Sequence, residues 1–255
     1  MTLSIDLNCD MGEGFGHWKM GCDNEILPSV SSANIACGFH AGDPSTMRKT
    51  VKAAIASGVA LGAHPGLPDL VGFGRRNMDI SPDSAYDIMV VQIGALAAVA
   101  ASQGARLRHV KAHGALYNMA VNNKPLAQAL AQAVYDVDRS LIFFALASSQ
   151  MADVARELGL HVAEEVFADR TYQRDGMLTP RSRPDAMITD PQVSIQQVLR
   201  MIKEGRVRAT DGVDVPVNAD TLCIHGDQQG AVMFAQAIRQ ALKAEHIAVQ
   251  ALGDC

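Results

Sequence analysis

Three short runs place polar, chemistry-bearing residues at every second position. Asp6, Asn8 and Asp10 alternate with Ile5, Leu7 and Cys9. His109, Lys111 and His113 alternate with Val110 and Ala112, and Cys223, His225 and Asp227 alternate with Leu222, Ile224 and Gly226. Two further runs end on an imidazole, Gly38-Phe39-His40 and Gly62-Ala63-His64-Pro65. Residues two apart in an extended chain share a face. A strand buried on both faces is expected to be apolar throughout, so these polar faces need a reason beyond packing. Acids and imidazoles crowded together move one another's pKa toward neutrality, which suits general acid–base catalysis. The same residues offer a second chemistry. Asp10, His40 and His64 would suit a divalent ion with an open coordination position, although the local HExxH signature is absent. Arg75, Arg76, Lys111 and Arg170 lie near glycine-rich turns that could receive phosphate through backbone N–H groups and fixed charge. No Walker-type GxxxxGK[ST] run accompanies them.

Not every polar residue here asks for a functional reading. Asp6 serves equally well bonded to backbone or to a lysine. His109 lies deeper in its run and reads as a core histidine. His17, His161 and His246 read as surface or packing residues. Cys9, Cys37 and Cys223 read as small apolar filler.

The elements that would position these residues alternate in type. Strands are expected at Leu3–Asn8, Ser31–Cys37, Val59–Ala63, Leu107–Lys111, Leu141–Ala145, Leu160–Glu165 and Thr221–His225. Helices are expected between them. Asp43-Pro44 reads as an N-cap and first-turn proline, with Met47, Val51 and Ile55 on one face and Gly58 as the stop. Ser81-Pro82 begins a second helix that Gly104 ends, and Ser148–Leu158, before Gly159, forms another. Lys124–Tyr135, Pro191–Lys203 and Gln229–Lys243 fit helices too. Such alternation implies parallel strands joined by right-handed crossovers. With about seven strands, the fold class is α/β and the expected architecture is a barrel one unit short of the common eight; an open doubly wound sheet is the alternative. In barrel enzymes the site lies at the C-terminal strand ends, where these polar residues fall. One domain over 1–255 is expected. It carries an irregular insertion at about 175–219, where Thr210-Asp211-Gly212 reads as a hairpin turn.

Composition narrows the class. The chain has 255 residues, 22 basic against 27 acidic, a net charge of −5. No clustered basic excess marks a nucleic-acid partner. The apolar stretch Ile88–Ala101 is too short to span a membrane, and no signal peptide is evident. Five cysteines without a CxxC pair argue against a disulfide framework and for a reduced, cytoplasmic setting.

The runs Asp6–Glu13, Ser32–Asp43, Gly62–Gly66 with Gly72–Arg76, Val110–Asn118, Glu165–Tyr172 and Cys223–Asp227 resemble the LamB/YcsF family of 5-oxoprolinase A subunits. The likeness spans essentially the whole chain. It implies a seven-stranded TIM-like barrel related to the polysaccharide deacetylase superfamily. It also implies ATP-dependent opening of the 5-oxo-L-proline lactam to L-glutamate, with ATP cleaved to ADP and phosphate, Mg2+ accompanying the ATP, and subunits B and C as partners. On that reading the catalytic candidates are Asp10, Glu13, His64, Lys111, His113, His225 and Asp227. Candidates for holding substrate or phosphate are Asn8, His40, Arg75, Arg76, Asp169, Arg170 and Tyr172. Two alternatives stand beside it: a metal-dependent amidohydrolase or carbohydrate deacetylase that needs no ATP, and a non-catalytic substrate-binding subunit.

Overall fold

The computed structural model describes residues 3–224 and 230–253. Seven parallel strands close on themselves: β1 (Ser4–Met11), β2 (Ser32–Ala36), β3 (Ala60–His64), β4 (His109–Lys111), β5 (Ile142–Leu146), β6 (His161–Phe167) and β9 (Thr221–Ile224). The pairing of β9 with both β6 and β1 closes the barrel and excludes the open sheet. Two short strands, β7 (Arg206–Arg208) and β8 (Asp214–Pro216), form an antiparallel hairpin around the expected Thr210–Gly212 turn. β10 (Ala248–Val249) pairs in parallel with the start of β1.

Helices cover the outside: α2 (Pro44–Ala56), α3 (Pro82–Ala101), α4 (Gly114–Val121), α5 (Lys124–Asp138), α6 (Gln150–Glu157), α7 (Pro191–Glu204) and α8 (Ala231–Ala244), with a short α1 (Asp23–Ile26) after β1. Their starts follow local chemistry. The side chains of Asp43, Ser81, Asn123, Ser149 and Asp190 accept first-turn N–H groups of α2, α3, α5, α6 and α7, each such cap contributing about 1 kcal/mol. The sequence reading misses α4. Its eight residues are too few to establish a period, and Gly114 at its start looks like a break rather than a beginning.

α3 runs 20 residues, further than the apolar stretch that reads as too short, and by length and composition it could cross a membrane. It packs on α5 and β3 through Ala85, Met89, Ile93, Leu96 and Ala100. Buried Gln92 ties it to the loop after β3, accepting from the Gly66 N–H (3.0 Å) and donating to the Gly66 carbonyl (2.9 Å).

The segment after β6 is held by few, specific bonds. Ser194 donates to the Ala168 carbonyl, Gln197 donates to the carbonyls of Phe167 and Arg170, and the Tyr172 hydroxyl accepts the Phe167 N–H. This segment brings Leu178 and Arg181 over the C-terminal end of the barrel.

Candidate active site

The polar face of β1 points into the barrel. At the bottom Asp6 accepts three hydroxyls, from Ser31 and Ser32 (both 2.7 Å) and from Thr221 (2.5 Å). Burial raises its carboxyl pKa in spite of these bonds. One layer up, Asn8 donates to Glu165 (3.1 Å) and Thr221 (2.8 Å), and its oxygen accepts from Asn34 (2.7 Å). His109 bonds Asn34 (2.7 Å) and stacks on Phe144 with centroids 4.2 Å apart. Burial holds this imidazole at a pKa of about 3. Gly62 makes room for it: a Cβ there would lie 2.0 Å from the ring. His109 is the core histidine its depth in the strand implies.

Lys111 occupies the middle of the barrel. Its ammonium lies 2.8 Å from Glu165, 3.1 Å from Asp10, 3.2 Å from Asn8 and 3.1 Å from the Cys223 sulfur. Burial opposes its charge, but Asp10, Cys223 and Glu165 outweigh burial and hold the lysine protonated. Tyr117 of α4 donates to the other Glu165 oxygen (2.8 Å). Its own pKa rises through burial and the neighbouring carboxylate. Cys223 accepts from this cation through its sulfur, while burial raises its own thiol pKa.

Above the lysine sit three imidazoles. His64 Nδ1 meets the Lys111 carbonyl (2.7 Å), and His64 Nε2 lies 3.3 Å from Asp10 and 3.0 Å from His113 Nδ1. His113 Nε2 meets the Phe73 carbonyl (2.8 Å). His40 stacks on His113 at 3.6 Å, and Glu13 lies 3.3 Å from His40 and 3.4 Å from His113. Burial, helped by the neighbouring imidazoles, lowers the pKa of His40 and takes His113 to about 3. The glycine-rich loops wrap these rings. A Cβ on Gly74, at φ +61°, would come within 2.8 Å of both His40 and His113, and one on Gly66 within 2.5 Å of His40. These two glycines admit imidazoles.

Asp10, His64, Lys111, His113, Arg75 and Arg170 line a cavity of about 130 Å³, together with Tyr117, Asn118, Phe167, Leu178 and Arg181. The first residues of α4, Gly114 and Ala115, also face it. Arg170 is anchored by donating to the Ala186 and Thr179 carbonyls, and burial, with Arg181 nearby, lowers its pKa. Glu13 and His40 lie just behind the wall, and Asn8 beneath it. Three expected residues lie elsewhere. Arg76 is exposed and paired with Asp69 on its own loop, because the turn at Gly72–Gly74 sends successive arginines in different directions. Tyr172 is fully buried as a packing residue under the β6 end. Asp169 lines a neighbouring groove with Met187, Ile188, Met233 and Phe234. His225 and Asp227 lie outside the described residues. Beside the expected cation set of Asp10, His40 and His64, a second set converges among the described residues: Glu13, His40, His64 and His113, all within 4.8 Å of one another, with Asp10 3.3 Å from His64.

The sequence reading passes over four participants: Glu165, Tyr117, Asn34 and Arg181. Two of them share the parity of a strand's polar face. Asn34 follows Ser32 by two positions in β2, and Glu165 interrupts an otherwise apolar inward phase between Ala163 and Phe167 in β6. Arg181 comes from an irregular loop, where no periodicity applies.

Residues 5–255 match the model of the LamB/YcsF family. The chain belongs to that family. Among its LamB/YcsF relatives, the 5-oxoprolinase A subunit of Bordetella pertussis is 64% identical over 251 residues, covering 98% of this chain and 100% of that one. A solved structure, the lactam utilization protein of Thermus thermophilus, superposes at a TM-score of 0.94 with 48% identity, over 98% of this chain and 100% of that one. A family 4 carbohydrate esterase from Streptomyces lividans shares the fold at a TM-score of 0.50 and 10% identity, over 98% and 93% of the two chains. The LamB/YcsF barrel thus shares its fold with that esterase.

Proposed function

We propose that this chain is the component of an ATP-dependent 5-oxoprolinase in which the lactam of 5-oxo-L-proline is opened to L-glutamate, with ATP cleaved to ADP and phosphate. The observation that carries this reading is the Asp10–Lys111 pair beside buried imidazoles, at the base of a cavity ringed by Arg75, Arg170 and Arg181. The relatives' names, one a 5-oxoprolinase A subunit, the other a lactam utilization protein, support it.

The chemistry fits these groups. A lactam carbonyl is a poor electrophile. Transfer of the terminal ATP phosphoryl group to its oxygen releases ADP and activates the ring carbon. Water then adds to that carbon, the C–N bond breaks as the nitrogen takes a proton, and a second water releases phosphate. The arginine rim and the first turn of α4 suit the substrate carboxylate and the phosphate. Lys111, protonated and lining the cavity, suits an oxygen that gains negative charge. Asp10, on the cavity wall beside Lys111 and 3.3 Å from His64, is the group to take a proton from water. A cavity of about 130 Å³ is smaller than the roughly 300 Å³ lower bound for drug-sized ligands. It suits a small ring, with ATP, carried by Mg2+, presenting only its phosphate end from the mouth. That arrangement agrees with a site completed by subunits B and C. A cytoplasmic location goes with the use of ATP.

The test is reconstitution. Glutamate and ADP are followed with 5-oxoproline, MgATP and subunits B and C present. Turnover is expected only in the full mixture, and Asp10→Asn is expected to abolish it in a folded chain. A wild-type rate from the folded Asp10→Asn complex would sink the catalytic reading and leave a substrate-binding role. A second reading, metal-dependent hydrolysis of an amide or acetyl ester without ATP, is favoured by the cluster of Glu13 and three imidazoles. Activity of this chain alone, with zinc and without ATP, would select it.

A further inference from the structure

We infer that Glu13, His40, His64 and His113 form a binding site for a single borderline transition-metal dication of the Zn2+ class, distinct from the Mg2+ that travels with ATP. Two main-chain carbonyls fix the ring protons. A carbonyl oxygen can only accept, so His64 must place a proton on Nδ1, toward the Lys111 carbonyl at 2.7 Å, and His113 must place one on Nε2, toward the Phe73 carbonyl at 2.8 Å. The remaining nitrogens, His64 Nε2 and His113 Nδ1, then face each other at 3.0 Å. In the neutral rings both carry lone pairs. Two lone pairs at that distance repel, and the carboxylate of Glu13, 3.4 Å from His113 Nδ1 and 3.3 Å from His40 Nε2, adds a further acceptor. The acceptors point inward and the ring protons of His64 and His113 point outward to main-chain oxygens, which is how metal-binding histidines are oriented by their surroundings. A cation at the centre turns this repulsion into coordination.

Four ligands about 2.0–2.1 Å from a tetrahedral ion lie about 3.4 Å apart; three of the six donor pairs here stand at 3.0, 3.3 and 3.4 Å, and all six lie within 4.8 Å, so binding draws the wider pairs inward. All four donors are buried. Three imidazoles and one carboxylate suit zinc, cobalt or nickel, whereas Mg2+ prefers oxygen ligands and keeps its waters. His64 and His113 also form part of the cavity wall, so a bound ion would sit beside the substrate space. His40 differs from the other two. Among the described residues its Nδ1 has no hydrogen-bond partner, and its ring is stacked parallel to that of His113 at 3.6 Å, so it must turn out of the stack to share an ion with His113. It is therefore the weakest of the three nitrogen ligands.

The site does not depend on the lactam reading, and its test does not use activity. Purified full-length chain is stripped with a chelator, dialysed against Zn2+ in the presence of excess Mg2+, and analysed for bound metal and thermal midpoint. One zinc per chain and a raised midpoint are expected. His64→Ala and His113→Gln are each expected to weaken zinc binding by more than about 100-fold and His40→Asn by less, while His161→Ala leaves it unchanged. Cobalt loading supplies an independent readout: the visible spectrum of the wild-type complex should change in His113→Gln. Zinc well below one per chain in the wild type, or retention undiminished in a folded His64→Ala, His113→Gln double variant, overturns the proposal. The wild-type measurement decides even if a variant fails to fold.

Discussion

The lower and upper halves of the barrel interior are both polar, and they are polar in different ways. In the lower half Asp6, Ser32, Thr221, Asn8, Asn34 and His109 pair donor with acceptor around a closed network. In the upper half His64 and His113 meet nitrogen to nitrogen at 3.0 Å with their other nitrogens already on main-chain carbonyls, carboxylates crowd a single lysine, and a cavity opens beside them. Burying polar groups costs little when every bond is made and a great deal when it is not. The lower network is therefore a way to fill a barrel. The upper cluster holds its groups against their electrostatic preference, and such a cluster is expected where a ligand completes it. Buried polarity alone does not mark a site; incomplete buried polarity does.

That contrast breaks most visibly at Lys111, where the halves meet. Lys111→Met keeps the length and removes the charge, leaving Asp10 and Glu165 buried without their cation. Removing one partner of a buried pair costs about 3–5 kcal/mol, and turnover of the reconstituted enzyme should vanish. Chemical denaturation measures the first and glutamate release the second. Adding Glu165→Gln should restore part of the stability and none of the turnover. If it restores both, the lysine is a structural counter-charge only.

Asp6→Ala probes the lower half. Three hydroxyls lose their acceptor, a loss of about 1–3 kcal/mol. Asp6 lies four residues before Asp10 on β1, about 13 Å along the strand. Turnover at saturating substrate should stay within about twofold of wild type. Activity lost without a stability change would erase the distinction between the halves.

His109 adds a pH signature to the same region. Its folded pKa is about 3, against an ordinary value of 6.5. The unfolded chain then binds the extra proton, so this contribution to stability is complete above pH about 6.5 and is lost as pH falls toward 3. The thermal midpoint should drop across that window, and His109→Gln should flatten the drop. An unchanged slope in the variant would mean that the ring titrates normally.

The alternation of Asp6, Asn8 and Asp10 with apolar residues made the inward face of β1 legible without coordinates, because strand geometry converts spacing directly into sidedness. The same holds for His109 and Lys111. Closure into a barrel was legible only as a strand count, since nothing local says that β9 pairs with β1. Loops were the weak point. That Glu13 leans on His40 and His113, that Arg181 reaches the cavity, and that Tyr172 turns inward all depend on loop paths fixed by a few long-range hydrogen bonds. Asn34 and Glu165 were within reach of the parity argument and lacked only the neighbours that make a single polar residue conspicuous.

Adjacent arginines offer the smallest and sharpest form of the comparison. Arg75 and Arg76 share a loop, a charge and exposure, and differ only in direction. Arg75 stands over the Phe73 ring at 4.9 Å and borders the cavity; Arg76 pairs with Asp69, whose carboxyl it holds down at a pKa of about 2. If the rim serves an anionic substrate, Arg75→Ala should raise KM for 5-oxoproline about tenfold with kcat less affected, as expected for lost uniform binding. Arg76→Ala should change either constant by less than about twofold, like most exposed substitutions. Equal effects of the two substitutions on KM would mean that net charge near the mouth matters and direction does not. The rim would then act by long-range attraction, and raising the salt concentration should abolish both effects together. A KM effect of Arg75→Ala that survives high salt places its guanidinium in direct contact with substrate.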